Sequence, residues 1–135
     1  MAIRIVRLGS PRAEGEGTRI GTVRRPPRGV PKADFASHDW YDVWYPNLSP
    51  TPDLMKLALS THAHPDSAQA QKDWAHFVRE FRKEMAQAEA ARSLDVLAAL
   101  SHGAQFSLGC YCEDEARCHR SVLRALLAER GAEIG

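Results

Sequence analysis

The strongest constraint on this chain lies near its C-terminal end. Residues 106–112 (FSLGCYC) form a short apolar run, 113–117 are polar, and in 118–130 Val122, Leu123, Leu126 and Leu127 recur at three- and four-residue spacing. A short apolar run of this length reads as a strand, and the stripe is one face of an amphipathic helix. Gly131 then supplies a C-terminal stop. Strand, tight loop and helix in that order are the unit of an α/β sheet, in which crossover helices hold the strands parallel. Ligands of such sheets collect beyond the carboxyl ends of the strands, where helix N-termini present unpaired amide hydrogens to anions. Cys110, Cys112, Cys118, His119 and Arg120 all fall at that edge.

The rest of the chain fits the same class. Ile3, Ile5 and Val6 read as a first strand, 9–17 as a turn-rich mobile loop, and 19–23 as a second strand. Residues 24–31 (RRPPRGVP) hold three prolines, which lack the amide hydrogen a central strand needs and stop a helix, so this stretch is a loop. Prolines 46, 50 and 52 impose loop geometry again, with a helix beginning after Thr51 or Pro52. Asp66 or Ser67 caps a helix whose stripe of Trp74, Phe77, Val78, Phe81 and Met85 is core, and Ser93 opens another with Leu94, Leu97 and Leu100 facing inward. The expected fold is α/β: a single compact domain over 1–135, with a mainly parallel sheet flanked by helices in a Rossmann-like three-layer arrangement.

A chain of 135 residues with 44% hydrophobic composition can bury one core without metal or disulfide support. No run reaches the roughly 18–20 apolar residues of a membrane helix, and the N-terminus lacks the apolar region of a secretory signal, so a cytoplasmic protein with no membrane partner is expected. Three cysteines make an odd number in a chain that needs no staples, which points to reduced thiols. The net charge is only +1, yet residues 1–32 carry eight Arg or Lys against Glu14 and Glu16. Such a face attracts phosphates or nucleic acid, or is simply solvated. No nucleic-acid motif accompanies it, and the pI of about 7.8 falls short of the value of about 9 typical of a dedicated binder.

The C-terminal cluster admits several chemistries. Cys112 stands where a phosphatase or sulfurtransferase loop places its nucleophile, but position 118 is cysteine where a phosphatase needs arginine, and Glu113, Asp114 and Glu115 would repel the anion. Cys110, Cys112, Cys118 and His119 are a zinc-type ligand set, although neighbouring positions on a helix diverge by roughly 100°, which argues against Cys118 and His119 meeting one ion. A redox pair between Cys118 and Cys110 or Cys112 requires Cα atoms within about 7 Å. The preferred reading puts His119, with Cys118 and Cys110, at a catalytic centre. Arg24, Arg28 and Arg120 then bind a small phosphorylated or carboxylated molecule, because histidine exchanges protons near neutral pH and guanidinium forms a planar fork for oxyanions. The competing structural reading has His119 bonded to a nearby carbonyl and the arginines paired with residues 113–115. Asp39 and Asp42, beside Trp40 and Trp44, are pocket candidates with no identifiable partner, and His62 with His64 read as an exposed turn. The alternative function is a nucleic-acid or protein binding module, or a structural zinc or redox thiol site; the residues assign no cofactor.

GCYCEDEARCHRSVLRALL resembles the C-terminal motif of the domain of unknown function 488 family, in which a cysteine at a strand end precedes Cys-His-Arg, matched by Cys110, Cys118, His119 and Arg120. Upstream, Arg24, Pro27, Arg28 and Gly29 match an Arg-x-x-Pro-Arg-Gly pattern similar to that of its YeaO-like branch. That branch commonly has tryptophan at the position of Pro26, and keeps the histidine while lacking the cysteines. The resemblance implies an α/β fold and a site joining the Arg-Pro loop to the helix start that bears His119. It implies no established activity.

Overall fold

In the computed structural model, which describes residues 2–135, Ile3–Arg7 forms strand β1, Thr18–Gly21 β2, Val43–Trp44 β3 and Phe106–Cys110 β4. The helices are α1 (Pro52–Ser60), α2 (Ala68–Met85), α3 (Ala88–Leu100) and α4 (His119–Glu129). All four strands are parallel, in the order β1-β4-β2-β3. The central position of β4 explains its unbroken apolar character, since every one of its five residues is buried.

Ile5, Leu108 and Ile20 lie side by side in register and present one sheet face to the helices. Against it pack Phe77 and Phe81 of α2, Leu94 of α3, and Leu123 and Leu127 of α4, all fully buried, with Leu54 and Leu57 of α1 at the margin. Each such side chain contributes about 1.5–3 kcal/mol on burial. Ser67 caps α2 by accepting from the Ala70 amide at 3.1 Å, and Pro52 opens α1 at the first turn, where its missing amide hydrogen costs nothing.

The opposite face is covered by loops. Gly21 and Gly109 sit in register, and their lack of a side chain admits the Tyr41 ring and Leu8: a Cβ at position 21 would fall 2.4 Å from Tyr41 Cδ2. Beside them Arg19 is fully buried with Glu16, which accepts from Arg19 Nε at 2.8 Å and from Ser107 Oγ at 2.8 Å. The stretch 9–17, expected to be a mobile loop, is thus anchored to the sheet by Glu16. The molecule is α/β, with helices, an all-parallel sheet and a loop layer stacked in three tiers.

Two expectations change. Helix α3 begins at Ala88, so Ser93 lies inside it, its hydroxyl bonded to the Glu89 carbonyl at 3.0 Å. Residues of high helix propensity (AEAAR) extend the helix upstream without a polar cap. Leu100, expected to face inward, is half exposed: at about 100° per residue it lies off the stripe of Leu94 and Ala98, which is buried, as is Ser101 just beyond the helix end.

Candidate functional site

Three chain segments leave the carboxyl edge of the sheet together. Arg7 ends β1, residues 22–28 follow β2, and Cys110 ends β4. Because β4 lies between β1 and β2, these exits surround a cleft of about 1160 Å3, closed on its far side by Pro50, Pro52, Met55, Lys56 and Leu59 around α1. Among the described residues five cations line it, Arg7, Arg24, Arg25, Arg28 and Lys56, and no carboxylate does. Trp40 and Tyr111 meet edge to face in its wall, with ring centroids 5.8 Å apart, and the Tyr111 hydroxyl donates to the Arg25 carbonyl at 2.8 Å.

Cys110 and Cys112 form the floor. The chain then turns through a single 3-10 turn, Glu115–Arg117, and returns Cys118 as the residue before α4. Cys118 is extended there, with φ −124° and ψ 149°. The divergence expected of neighbouring helical positions therefore does not apply to it, and the Sγ atoms of Cys110, Cys112 and Cys118 all lie within 4.8 Å of one another. All three thiols are free, Cys110 and Cys118 buried and Cys112 half-buried.

His119 is fully buried behind this floor. Its Nε2 donates to the Thr22 carbonyl at 2.8 Å and lies 3.3 Å from Thr22 Oγ1, whose hydrogen goes to the Gly109 carbonyl at 3.0 Å. A carbonyl only accepts, so Nε2 carries a hydrogen, and Nδ1 lies 3.8 Å from Cys118 Sγ. The ring stands edge-on to Phe81 at 5.7 Å.

Arg120 is buried as well. Its Nη2 donates to the Cys112 carbonyl at 2.6 Å and its Nε to Cys118 Sγ at 3.4 Å, and among the described residues it has no carboxylate partner. Within the cluster, hydrogen bonds from Cys110 and Cys112, with His119 beside it, hold the Cys118 thiol well below its ordinary range against the opposing effect of burial. Cys110 is pushed up by its bonds to Cys112 and Cys118 and by burial. Cys112 is pushed up to about 11, since the Cys110 bond, which lowers it, is outweighed by Cys118 and burial.

The site residues read from the sequence thus divide into two sets. Arg24 and Arg28 line the cleft with Cys110, while Cys118, His119 and Arg120 lie buried behind it. Arg24 and His119 share no hydrogen bond: the Arg24 guanidinium donates to the Ser49 carbonyl at 3.2 Å and to the Pro50 carbonyl at 2.8 Å. Residues 113–115 do not pair with Arg24 or Arg120; Glu115 bonds Arg124 at 2.6 Å, and Glu113 lies 3.8 Å from Arg7. Asp42, expected near a pocket, instead ties Arg12 at 2.8 Å to the Arg19 amide. Thr22, Arg7, Lys56 and Tyr111 were not singled out from the sequence. Arg7 and Thr22 end or follow strands and had that signal, whereas Lys56 is one of several exposed helix residues with nothing to distinguish it.

No curated protein and no solved structure matches the chain. A family model, DUF488-N3a, described as the active DUF488-N3 subclade, matches residues 3–131. That match takes in the Arg-Pro loop, all four strands and the Cys-His-Arg start of α4, and the chain belongs to the DUF488 family.

Proposed function

We propose that the cleft binds a small anionic molecule, phosphorylated or carboxylated, with the thiol cluster at its floor as the place where the bound molecule reacts. The observation that carries this reading is the lining itself, with five cations and, among the described residues, no carboxylate around about 1160 Å3 at the carboxyl edge of a parallel sheet. A concave cationic wall focuses potential and raises the local concentration of anions. The volume is at or above the roughly 300–1,000 Å3 of small-molecule sites, which suits a ligand larger than a lone phosphate.

The parts contribute separately. Arg28 and Arg25 reach into the cleft as exposed forks for an oxyanion, and Arg24, held by the Ser49 and Pro50 carbonyls, fixes the loop that carries them. Trp40 and Tyr111 offer an apolar edge to the remainder of the ligand. Cys110 and Cys112 face the ligand, while Cys118, His119 and Arg120 set the charge of the thiols from behind. Thermal unfolding at low salt, with pyrophosphate and citrate as probes, tests this reading. Binding to the folded state raises the melting temperature with probe concentration by mass action, and an unchanged transition across both probes contradicts it.

A further inference from the structure

We infer that Cys110, Cys112 and Cys118 form a three-thiolate site for one soft divalent cation of the zinc type, with the fourth coordination position open to the cleft. Sulfur spacing is the first support. Four ligands at the Zn–S distance of 2.3 Å around a tetrahedral ion lie about 3.8 Å apart. Cys110 and Cys112 Sγ are 3.9 Å apart, and the full triangle stays within 4.8 Å, so the side chains need shift by less than an ångström to close on an ion. Cys110 ends β4, Cys112 lies two residues beyond it in the loop, and Cys118 immediately precedes α4, so a strand and a helix anchor two of the three thiols.

Charge is the second and independent support. Arg120 is a buried guanidinium with no carboxylate partner among the described residues, and its Nε points at Cys118 Sγ. A buried cation requires a compensating anion. Three thiolates around a dication carry a net charge of −1, which Arg120 offsets, and the thiol protons pass to solvent as the ion binds.

The donor set fixes the class of ion. An all-sulfur triad selects zinc and its soft relatives over magnesium or calcium, which require oxygen. Exposure fixes the class of site. Cys112 is half-buried and lines the cleft with the buried Cys110, while Cys118 is buried behind them, so the ion would face the cleft past Cys112 with one position free for water or a ligand group, as in metal centres that do chemistry and unlike closed four-ligand structural ones. His119 meets Cys118 alone, and its other nitrogen is held by Thr22; it is a positioning residue that fixes Cys118. This inference stands apart from the anion reading, since the cleft can bind pyrophosphate with or without an ion at its floor.

Titration of the reduced, metal-stripped full chain with cobalt(II), followed by zinc displacement, is the test. The expected result is one cobalt per chain with an intense near-ultraviolet thiolate charge-transfer band, lost on adding one equivalent of zinc. Cys112→Ser, at the half-buried position, should keep the wild-type circular dichroism spectrum yet bind at least tenfold more weakly with a diminished band, and Cys118→Ser should behave likewise if folded. A zinc-dependent rise in melting temperature in the wild type that Cys112→Ser loses would be the second readout. Absence of the band in folded, reduced wild-type protein overturns the inference, as does metal binding of equal affinity in Cys112→Ser.

Discussion

The Nε2 hydrogen of His119 bonds the main-chain carbonyl of Thr22 over 2.8 Å, joining the first residue of α4 to the segment that leaves β2. Ninety-seven residues separate the two in the chain, so this bond locks the back of the cleft. His119→Ala leaves the Thr22 carbonyl buried without that partner and removes the edge contact with Phe81. An unsatisfied buried group costs about 1–3 kcal/mol, so the urea midpoint should fall by that equivalent with an unchanged slope, read by tryptophan fluorescence.

Glu16 makes acid sensitivity predictable. Burial pushes its carboxyl up, but hydrogen bonds from Arg19, Ser107 and the Ala13 amide outweigh this and hold it at about 2, below its ordinary 4.5. A carboxylate depressed in the folded state contributes stability that is present above its unfolded value and lost as pH falls through the folded one. Stability should decline between about pH 4.5 and 2. Glu16→Gln should flatten that decline and cost about 3–5 kcal/mol near neutral pH by leaving Arg19 buried without its anion, both read from denaturant curves at stepped pH.

Gly17 is required by backbone geometry as well as by space. Its φ is +79°, and a Cβ there would fall 2.0 Å from the Gln105 carbonyl oxygen, a main-chain atom at the threshold of β4. Gly17→Ala should destabilise by about 1–3 kcal/mol, a loss that calorimetry would register as a lower melting temperature.

Arg24 and Arg28 should separate by experiment although both line the cleft. Arg24 donates to the carbonyls of Ser49 and Pro50, so Arg24→Ala should lower stability by about 1–2 kcal/mol besides weakening anion binding. Arg28 is exposed and makes no hydrogen bond or ion pair among the described residues. Arg28→Ala should leave the melting temperature within the error of the scan.

Much of the fold was legible because hydrophobic periodicity is strong where elements are long or central. The Phe77-Phe81 stripe, a cap at Asp66 or Ser67, which the structure places at Ser67, the run of β4 and the stop at Gly131, with φ +78°, all follow from local pattern. Strand β3 was not legible, since two exposed residues carry no periodicity. At the site, the strand-end rule placed Cys110 and the start of α4 at the carboxyl edge, while the joining of Arg24 and Arg28 to that edge was implied by the family resemblance. The convergence of Cys118 on the other thiols was not legible, because it depends on one residue staying extended before the helix begins. Nor could sequence show that Arg24 would spend its donors on a proline turn 25 and 26 residues away.

Occupancy of the cationic cleft by a small anion is read by isothermal titration calorimetry with pyrophosphate at low ionic strength. Saturable one-to-one binding to the wild type is expected, weakened about tenfold or more in Arg28→Ala, since a charged hydrogen bond is worth about 1.5–3 kcal/mol, while the melting temperature stays unchanged. Absence of binding to the wild type, or equal affinity in the two proteins, would contradict that occupancy.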